Sequence, residues 1–521
     1  MRALVIAFLA FVMVLPTVAQ TVSVVQENIA NSGPTYYFHQ RKVARTTKGV
    51  LIAAWNDKNA AGGQVIYSMY DDAFGTWSPA AAVSNAGDRA IQPALASDEL
   101  GNVHAVWQQR ETATPTQYQT YYARFNGASW TVPVKISVND AETAEEAAIE
   151  VDSRGHFWVA YNNDGAGVGK EFVMAIKSTD GGSSWSTTPD TLYKTGTLGT
   201  SIEVGRTSLA AGPDGRMVAI WDNSLTGTMP RREVFVNQYD GSAWQEAVRI
   251  SDTSSVDRDH NRYTSIAMDA QSNIYAFYTL SVVSGTDPRL RKILLHKKAW
   301  LAKWTLPETA VLESDTISFM DISAVVDSAQ VIHVTYRRDI KADTLGLDET
   351  AYTFSKDGGA TWAPRVVVSR PKHDAGYATI ANRVRRAYGI DILLRESQDE
   401  NVGDQSTTAV VYANIPYSFV TSVSEEQIPV GFNLLANYPN PFNPSTTIAY
   451  DVAVKGQVTL TIYDMLGREV RTLVNDVQDG GRHEMQWDGR SNLLQPVTSG
   501  VYMARLTTGA GARTLSIMLL K

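Results

Sequence analysis

The chain has 521 residues, 44% of them hydrophobic, and a formal net charge of −8. That length exceeds one ordinary core, so two or more domains are expected, and the hydrophobic content excludes a disordered chain. The acidic balance, without a basic patch, argues against a nucleic-acid partner, and the absence of cysteine excludes disulfides, thiolate metal sites and a lipidated N-terminus.

The first residues, "MRALVIAFLAFVMVLPTVAQ", place Arg2 before an apolar run and small residues before Gln20. This is the pattern of a secretory signal peptide over 1–19, cut after Ala19. The run is shorter than the roughly 20 apolar residues of a membrane span, and no later segment is long enough, so no transmembrane segment is expected in the mature protein. "TVSVVQ", 21–26, reads as an isolated strand.

A repeat follows: a short apolar strand behind a turn, ending in an aromatic residue. "KGVLIAAW" ends at Trp55, "GNVHAVW" at Trp107, "RGHFWVAY" at Tyr161 and "DGRMVAIW" at Trp221. "SNIYAFY" ends at Tyr278, "AQVIHVTY" at Tyr336, and a weaker copy at Leu394. The spacings are 52, 54, 60, 57, 58 and 58 residues. Each copy is preceded by one strand and followed by two more, with turn residues between, and helical periodicity is missing. Four short antiparallel strands per repeat make the blade of a β-propeller. The expected fold is all-β: a seven-bladed propeller over 20–418, a linker over 419–436, and a small Ig-like β-sandwich over 437–521. Six blades is the alternative. The seventh unit lacks a fourth strand, which 21–26 could supply, removing the ring's open edge.

Between the third and fourth strands of blades three and six stand "KSTDGGSSWS" and "FSKDGGATWA". The glycines permit positive φ, the Ser and Asp oxygens can accept the turn's N–H groups, and the Trp can fold back as an apolar plug. Worn copies occur at "DDAFGTW", "FNGASW" and "YDGSAW". The motif resembles the Asp-box, or bacterial neuraminidase repeat, of sialidase-like propellers. The residues that carry the resemblance are Ser178, Asp180, Gly182, Ser184 and Trp185, with Ser355, Asp357, Gly359, Thr361 and Trp362. They are read as structural staples on the face opposite the mouth.

In a propeller the innermost strand starts at the same face as the loop after the second strand. Counting back 15 to 17 residues from each repeat's end puts His39, Gln40, Gln92, Glu145, Glu146, Arg206, Arg262, Asp321 and Tyr377 around the mouth. The loops add Asp57, Asp164, Asp222, Arg338, Asp339 and Glu396. Arg206 and Arg262, on neighbouring blades, are the expected grip for an acidic sugar or a peptide carboxylate. The sialidase resemblance implies three Arg on a carboxylate, a Tyr nucleophile activated by Glu, and an Asp acid. Its Arg-Ile-Pro motif should stand where this chain has His39-Gln40-Arg41, with neither Ile nor Pro. Tyr377 and Glu396 are the only residues suggested as the nucleophile pair, and no motif supports them.

The eight His show no metal-binding spacing, and "NNDGAGVGKE", 162–171, lacks the alternating acids of a calcium loop. No metal or cofactor is expected. The sequence therefore points to binding of a glycan or protein through the mouth, with a glycoside hydrolase or polysaccharide lyase on the same scaffold as the competing class.

In the last part, "NYPNPFNPSTTIAYDV", 437–452, carries three Asn-Pro pairs that force extended backbone, and strand-like runs follow. With Trp487-Asp488-Gly489, Ser499-Gly500-Val501-Tyr502 and the terminal "MLLK", this region resembles the C-terminal sorting domain of the type IX secretion system. It is also similar to the Ig-like domain of flagellar hook-capping proteins. The resemblance implies the outer-membrane sorting machinery as a partner. It also implies a secreted protein, extracellular or on the outer-membrane surface of a Gram-negative, Bacteroidetes-like bacterium.

Overall fold

A computed structural model describes residues 20–520 apart from 30–33, 37–38, 58–62, 86–88, 111–116, 139–141, 165–170, 195–200, 226–230, 252–259, 285–286, 305–308, 314–316, 340–346, 401–406, 423–432, 453–455, 479–480, 494 and 509–510. The expected signal peptide, with its cleavage residue Ala19, lies outside the described residues.

Among the described residues, seven antiparallel sheets succeed one another around a ring. Blade three shows the plan: Thr143–Val151, Phe157–Asp164, Glu171–Ser178 and Asp190–Lys194, paired in that order. The first strands of blades two to seven contact each other in succession and so line the axis. The last sheet is closed from the other end of the chain. Thr21–Ile29 pairs antiparallel with Thr408–Ile415, from Thr21 opposite Asn414 to Ile29 opposite Thr408. Seven blades, not six, result, and the strand from the N-terminal end supplies the fourth strand of the seventh.

The aromatic period marks the seams between blades. Trp107 packs with residues of blade one, Tyr161 with blade two, Trp221 with blade three, and so on to Trp55, which meets the seventh blade. These rings are all essentially buried. At roughly 1.5–3 kcal/mol for each large apolar side chain removed from water, seven such seams hold the ring without disulfides.

In blades two to seven the axial strand bulges opposite the repeat's end residue. In blade three Glu145 faces Asn162 and Ala148 faces Ala160, so two residues oppose the single Tyr161. The same step recurs in blades two, four, five, six and seven. In every case the first bulged residue is left-handed: Gln92, Glu146, Arg206, Tyr263, Asp321 and Tyr377, with φ between 51 and 58°. A bulge re-aims a side chain, and here it does so six times around one mouth.

The propeller runs further than expected. A short helix, Tyr417–Ser422, buries Val420 and Tyr417 against blades six and seven. The C-terminal unit then begins at Asn433–Tyr438, ahead of residue 437. It has a three-stranded and a four-stranded sheet around Trp487, Phe442, Tyr502 and Leu460. Phe442, from the Asn-Pro segment, packs on Trp487 with ring centroids 5.4 Å apart. Its N–H donates to Met518 O at 2.9 Å, and its carbonyl accepts from Leu520 N at 3.0 Å. The segment is thereby anchored beside the last strand. Among the described residues no helix is long and apolar enough to cross a membrane.

Candidate functional site

Strand register separates the two faces. Thr143 pairs with Asp164 at one end of blade three, while Phe157 pairs with Ser178 at the other. The bulge residues belong to the first end, the Asp-Gly-Gly turns to the second.

In those turns the Ser178 hydroxyl donates to Asp180 Oδ1 (2.9 Å) and accepts from Gly182 N–H (2.9 Å). Asp180 also accepts from Ser184 N–H and hydroxyl, at 2.9 and 2.5 Å. Blade six repeats this with Ser355, Asp357, Gly359 and Thr361, at 2.7 to 2.9 Å. The hydrogen bonds from the serines and the turn hold the Asp180 carboxyl down to about 2. Each turn's Trp then reaches the preceding blade: Trp185 packs on Tyr122 and Trp362 on Phe277. The worn copies do the same through Trp130 on Tyr67, Trp244 on Trp158 and Trp77 on Tyr412. A Cβ on Gly182 would fall 2.0 Å from the Tyr122 hydroxyl, so only glycine fits there. These residues knit blades together and carry no reactive arrangement.

His39, expected in the mouth, instead belongs to a plug. Residues 39–42 occupy the axis. His39 Nε2 lies 3.4 Å from Glu146 O, and Gln40 Nε2 donates to Ala147 O at 2.8 Å. Arg41 donates to Ala324 O and Ile380 O, and Lys42 Nζ to Pro93 O and Gln40 Oε1. Burial, then the nearby Lys42 and Arg206 charges, push His39 well below the ordinary imidazole value, and burial likewise pushes Lys42 down. Glu396 is also displaced. It is fully buried, accepts from Arg370 N–H at 2.7 Å and pairs with Arg370 Nε at 2.5 Å.

The mouth itself holds two charged clusters. The first spans blades three to five. Asp222, buried, pairs with Arg206 at 3.8 Å and with Arg232. Gly205 leaves the room, since a Cβ there would meet Asp222 Oδ1 at 2.9 Å and Arg232 Nη1 at 3.0 Å. Glu146 Oε2 accepts from Arg206 N–H and from Asn162 Nδ2, each at 3.0 Å. The Arg206 guanidinium lies 5.5 Å over the Tyr263 ring. Burial would lower Arg206, but Asp222 and Glu146 outweigh it and hold its proton more tightly. Arg262 is the opposite case. Burial, then the repulsion of Arg232, lower it against the pull of Tyr263 and Asp222, with a weaker repulsion from Arg206. It makes no ion pair among the described residues, and its buried Nε has no hydrogen-bond partner.

The second cluster joins blades six and seven. Arg337 Nε lies 2.8 Å from the buried Asp321 and its Nη1 3.2 Å from Asp348. Tyr377 N–H donates to Asp321 at 3.2 Å, and the Tyr377 ring lies between Arg337 and Arg395, at 5.2 and 5.5 Å. Tyr36 meets it edge-on at 4.8 Å. Burial, reinforced by Asp374, Asp339 and Asp321 against the pull of Arg337, pushes the Asp348 carboxyl up to about 7. Burial and Asp321 push the Tyr377 phenol up to about 12.

Of the remaining expected residues, Gln92 is half-buried with an unpartnered Oε1, and Glu145 is half-buried one place before the bulge. Arg338 pairs with Glu349, and the Asp164 side chain lies outside the described residues. Arg232, Tyr263, Arg337, Asp348 and Tyr36 were missed. Only Tyr263 had a usable signal, the count of 15 back from Tyr278 that Gln92, Glu146, Arg206 and Asp321 share in their own repeats. Among the described residues, no group of three or more His, Asp or Glu side chains is placed to hold a metal ion.

Comparison with known proteins agrees with this architecture. Residues 446–511 match the FlgD Ig-like domain family. No curated protein sequence matches the chain. Among solved structures, a PL25 ulvan lyase bound to -[GlcA(1-4)Rha3S]- is similar with a TM-score of 0.56 at 11% identity, covering 75% of this chain and 95% of its own. The polysaccharide lyase Uly1 gives a TM-score of 0.50 at 11% identity, covering 76% of this chain and 99% of its own. At that identity the likeness establishes the propeller fold.

Proposed function

We propose that this is an exported propeller whose mouth binds an anionic glycan through its carboxylate or sulfate groups. The carrying observation is Arg262, a partly buried guanidinium that makes no ion pair among the described residues and shares the pull of Asp222 with Arg206 and Arg232, which pair with it. A buried cation left this way is costly, and a ligand anion relieves the cost. Export rests on the signal-like residues 1–19, and delivery on the likeness of 437–521 to type IX sorting domains. The sialidase-like assignment of the propeller rests on the Asp-box turns.

A second reading, a lyase or hydrolase on the same mouth, is favoured by Asp348. A carboxyl that titrates near neutrality can exchange a proton with substrate at working pH. Binding of immobilised ulvan, alginate and neutral glucans, run beside a sugar-release assay on each, separates the readings. Retention of the acidic glycans alone, without release, supports recognition. Release supports catalysis, and retention of none refutes both.

A further inference from the structure

In five blades the turn between the third and fourth strands is closed by an Asp or Asn that accepts the turn's N–H groups: Asp71, Asn126, Asp180, Asp240 and Asp357. Blade five differs. Trp304 still packs into the seam with blade four. Four residues before it, however, where Asp240 stands four before Trp244, the chain has Trp300, followed by Leu301. Leu301 is 92% exposed. The turn lies at the Asn273–Ala299 end of blade five, on the face opposite the mouth. Four cations surround it. Arg216 lies 5.1 Å over the Trp300 ring and donates to the Ser272 hydroxyl at 2.9 Å. Lys298 Nζ lies 5.1 Å over Trp304 and donates to Gln238 Oε1 at 2.7 Å. Lys297 lies 5.4 Å over Tyr275, and Lys303 is exposed two residues after Leu301. None of the four makes an ion pair among the described residues, in a chain whose net charge is −8. The same face carries two more bare apolar tips, Phe74 of blade one at 80% exposed and Leu100 of blade two at 79%. Exposed apolar side chains among unpaired cations suit a surface that is both apolar and anionic.

We propose that the turn from Trp300 to Lys303 is an interfacial anchor that seats this face of the propeller on an anionic lipid bilayer. Leu301 would enter the headgroup boundary with Trp300 beside it, the depth at which a tryptophan ring is favoured. Lys297, Lys303 and Arg216 would meet the lipid phosphates. A bilayer is favoured over a protein partner because Phe74 and Leu100 stand on other blades, and a broad flat surface reaches all three tips. The mouth then faces away from the membrane. The anchor is independent of what the mouth binds, so it stands or falls apart from the glycan reading.

Flotation of the full-length mature protein with vesicles of phosphatidylcholine alone, and of equal parts phosphatidylcholine and phosphatidylglycerol, tests the anchor. Partitioning to the mixed vesicles at least tenfold above the neutral ones is expected, and it should fall as salt rises. Lys303→Gln should weaken it about fivefold, the effect of one cation at an anionic surface, and Leu301→Ser about tenfold. Both side chains are exposed, so the melting temperature and glycan binding of these variants should match the parent. Arg262→Ala should partition as the parent does, which separates the turn from the anion-reading mouth. Absence of partitioning, equal partitioning to the two vesicles, an unaffected Leu301→Ser, or loss in Arg262→Ala would each overturn the proposal. So would self-association in lipid-free sedimentation that Leu301→Ser abolishes, since the turn would then meet a second copy of the chain.

Discussion

The two full Asp-Gly-Gly turns are spelled almost alike but are not buried alike, which sets up a quantitative comparison. Trp362 is 3% exposed and sits in the core joining blades five and six with Phe277 and Leu295. Trp185 is only half-buried against Tyr122 and Met174. Truncating a buried Trp removes its transfer energy and leaves a cavity, typically 3–5 kcal/mol. Trp362→Ala should therefore cost about 3–4 kcal/mol and Trp185→Ala about half of that. Urea unfolding of the full-length mature protein, followed by far-UV circular dichroism, measures both. Glycan binding by either variant should match the parent, because these turns lie on the face away from the mouth. Equal costs for the two would refute the burial argument. A stable Trp362→Ala that no longer binds glycan would refute the assignment of the turns as structural.

The acidic cluster makes a pH prediction. Asp348 has its folded value raised, so the fold favours its protonated form, and stability falls as pH rises from about 4 to about 7. Asp348→Asn should therefore be more stable than the parent at pH 8, with the gap closing below pH 5 in thermal melts; a gap independent of pH would contradict this. Deleting 437–521 should leave the propeller folded but held in the periplasm of a host with a type IX system, read by surface proteolysis. Surface arrival of the truncated chain would sink the sorting assignment. Asp357→Ala removes the acceptor of three turn hydrogen bonds and should cost about 1–2 kcal/mol, with no change in glycan affinity.

What the sequence disclosed followed from burial. Trp107, Tyr161, Trp221, Tyr278 and Tyr336 recur because each fills a seam between blades, and one aromatic per seam is a strong periodic signal. The turn glycines and the closing role of 21–26 were readable for similar local reasons. The bulge was not, because a single extra residue shifts which neighbour faces the mouth. The count therefore lands on both Glu145 and Glu146, and on Arg262 beside the left-handed Tyr263. Partnerships made across strands left no local trace. Glu396 was expected in a loop, yet it lies inside the strand Ile390–Ser397, fully buried and paired with Arg370 from outside the repeat pattern. Asp348 owes its raised value to burial and to carboxylates distant in the chain, among them Asp374 and Asp321. His39 looked like a mouth residue by count, but blade one has a coil there, and the coil turns inward as the plug.

The most direct test is the affinity of the mature protein for an acidic glycan, with Arg262→Gln beside the parent. The substitution removes the cation and keeps much of the side chain's bulk. Loss of one arm of a desolvated charge pair costs about 2–5 kcal/mol of binding, so calorimetry should show at least a tenfold weaker complex, with a melting temperature of the unliganded protein no lower than the parent's. Equal affinity in parent and Arg262→Gln would contradict the claim that the mouth reads its ligand by charge.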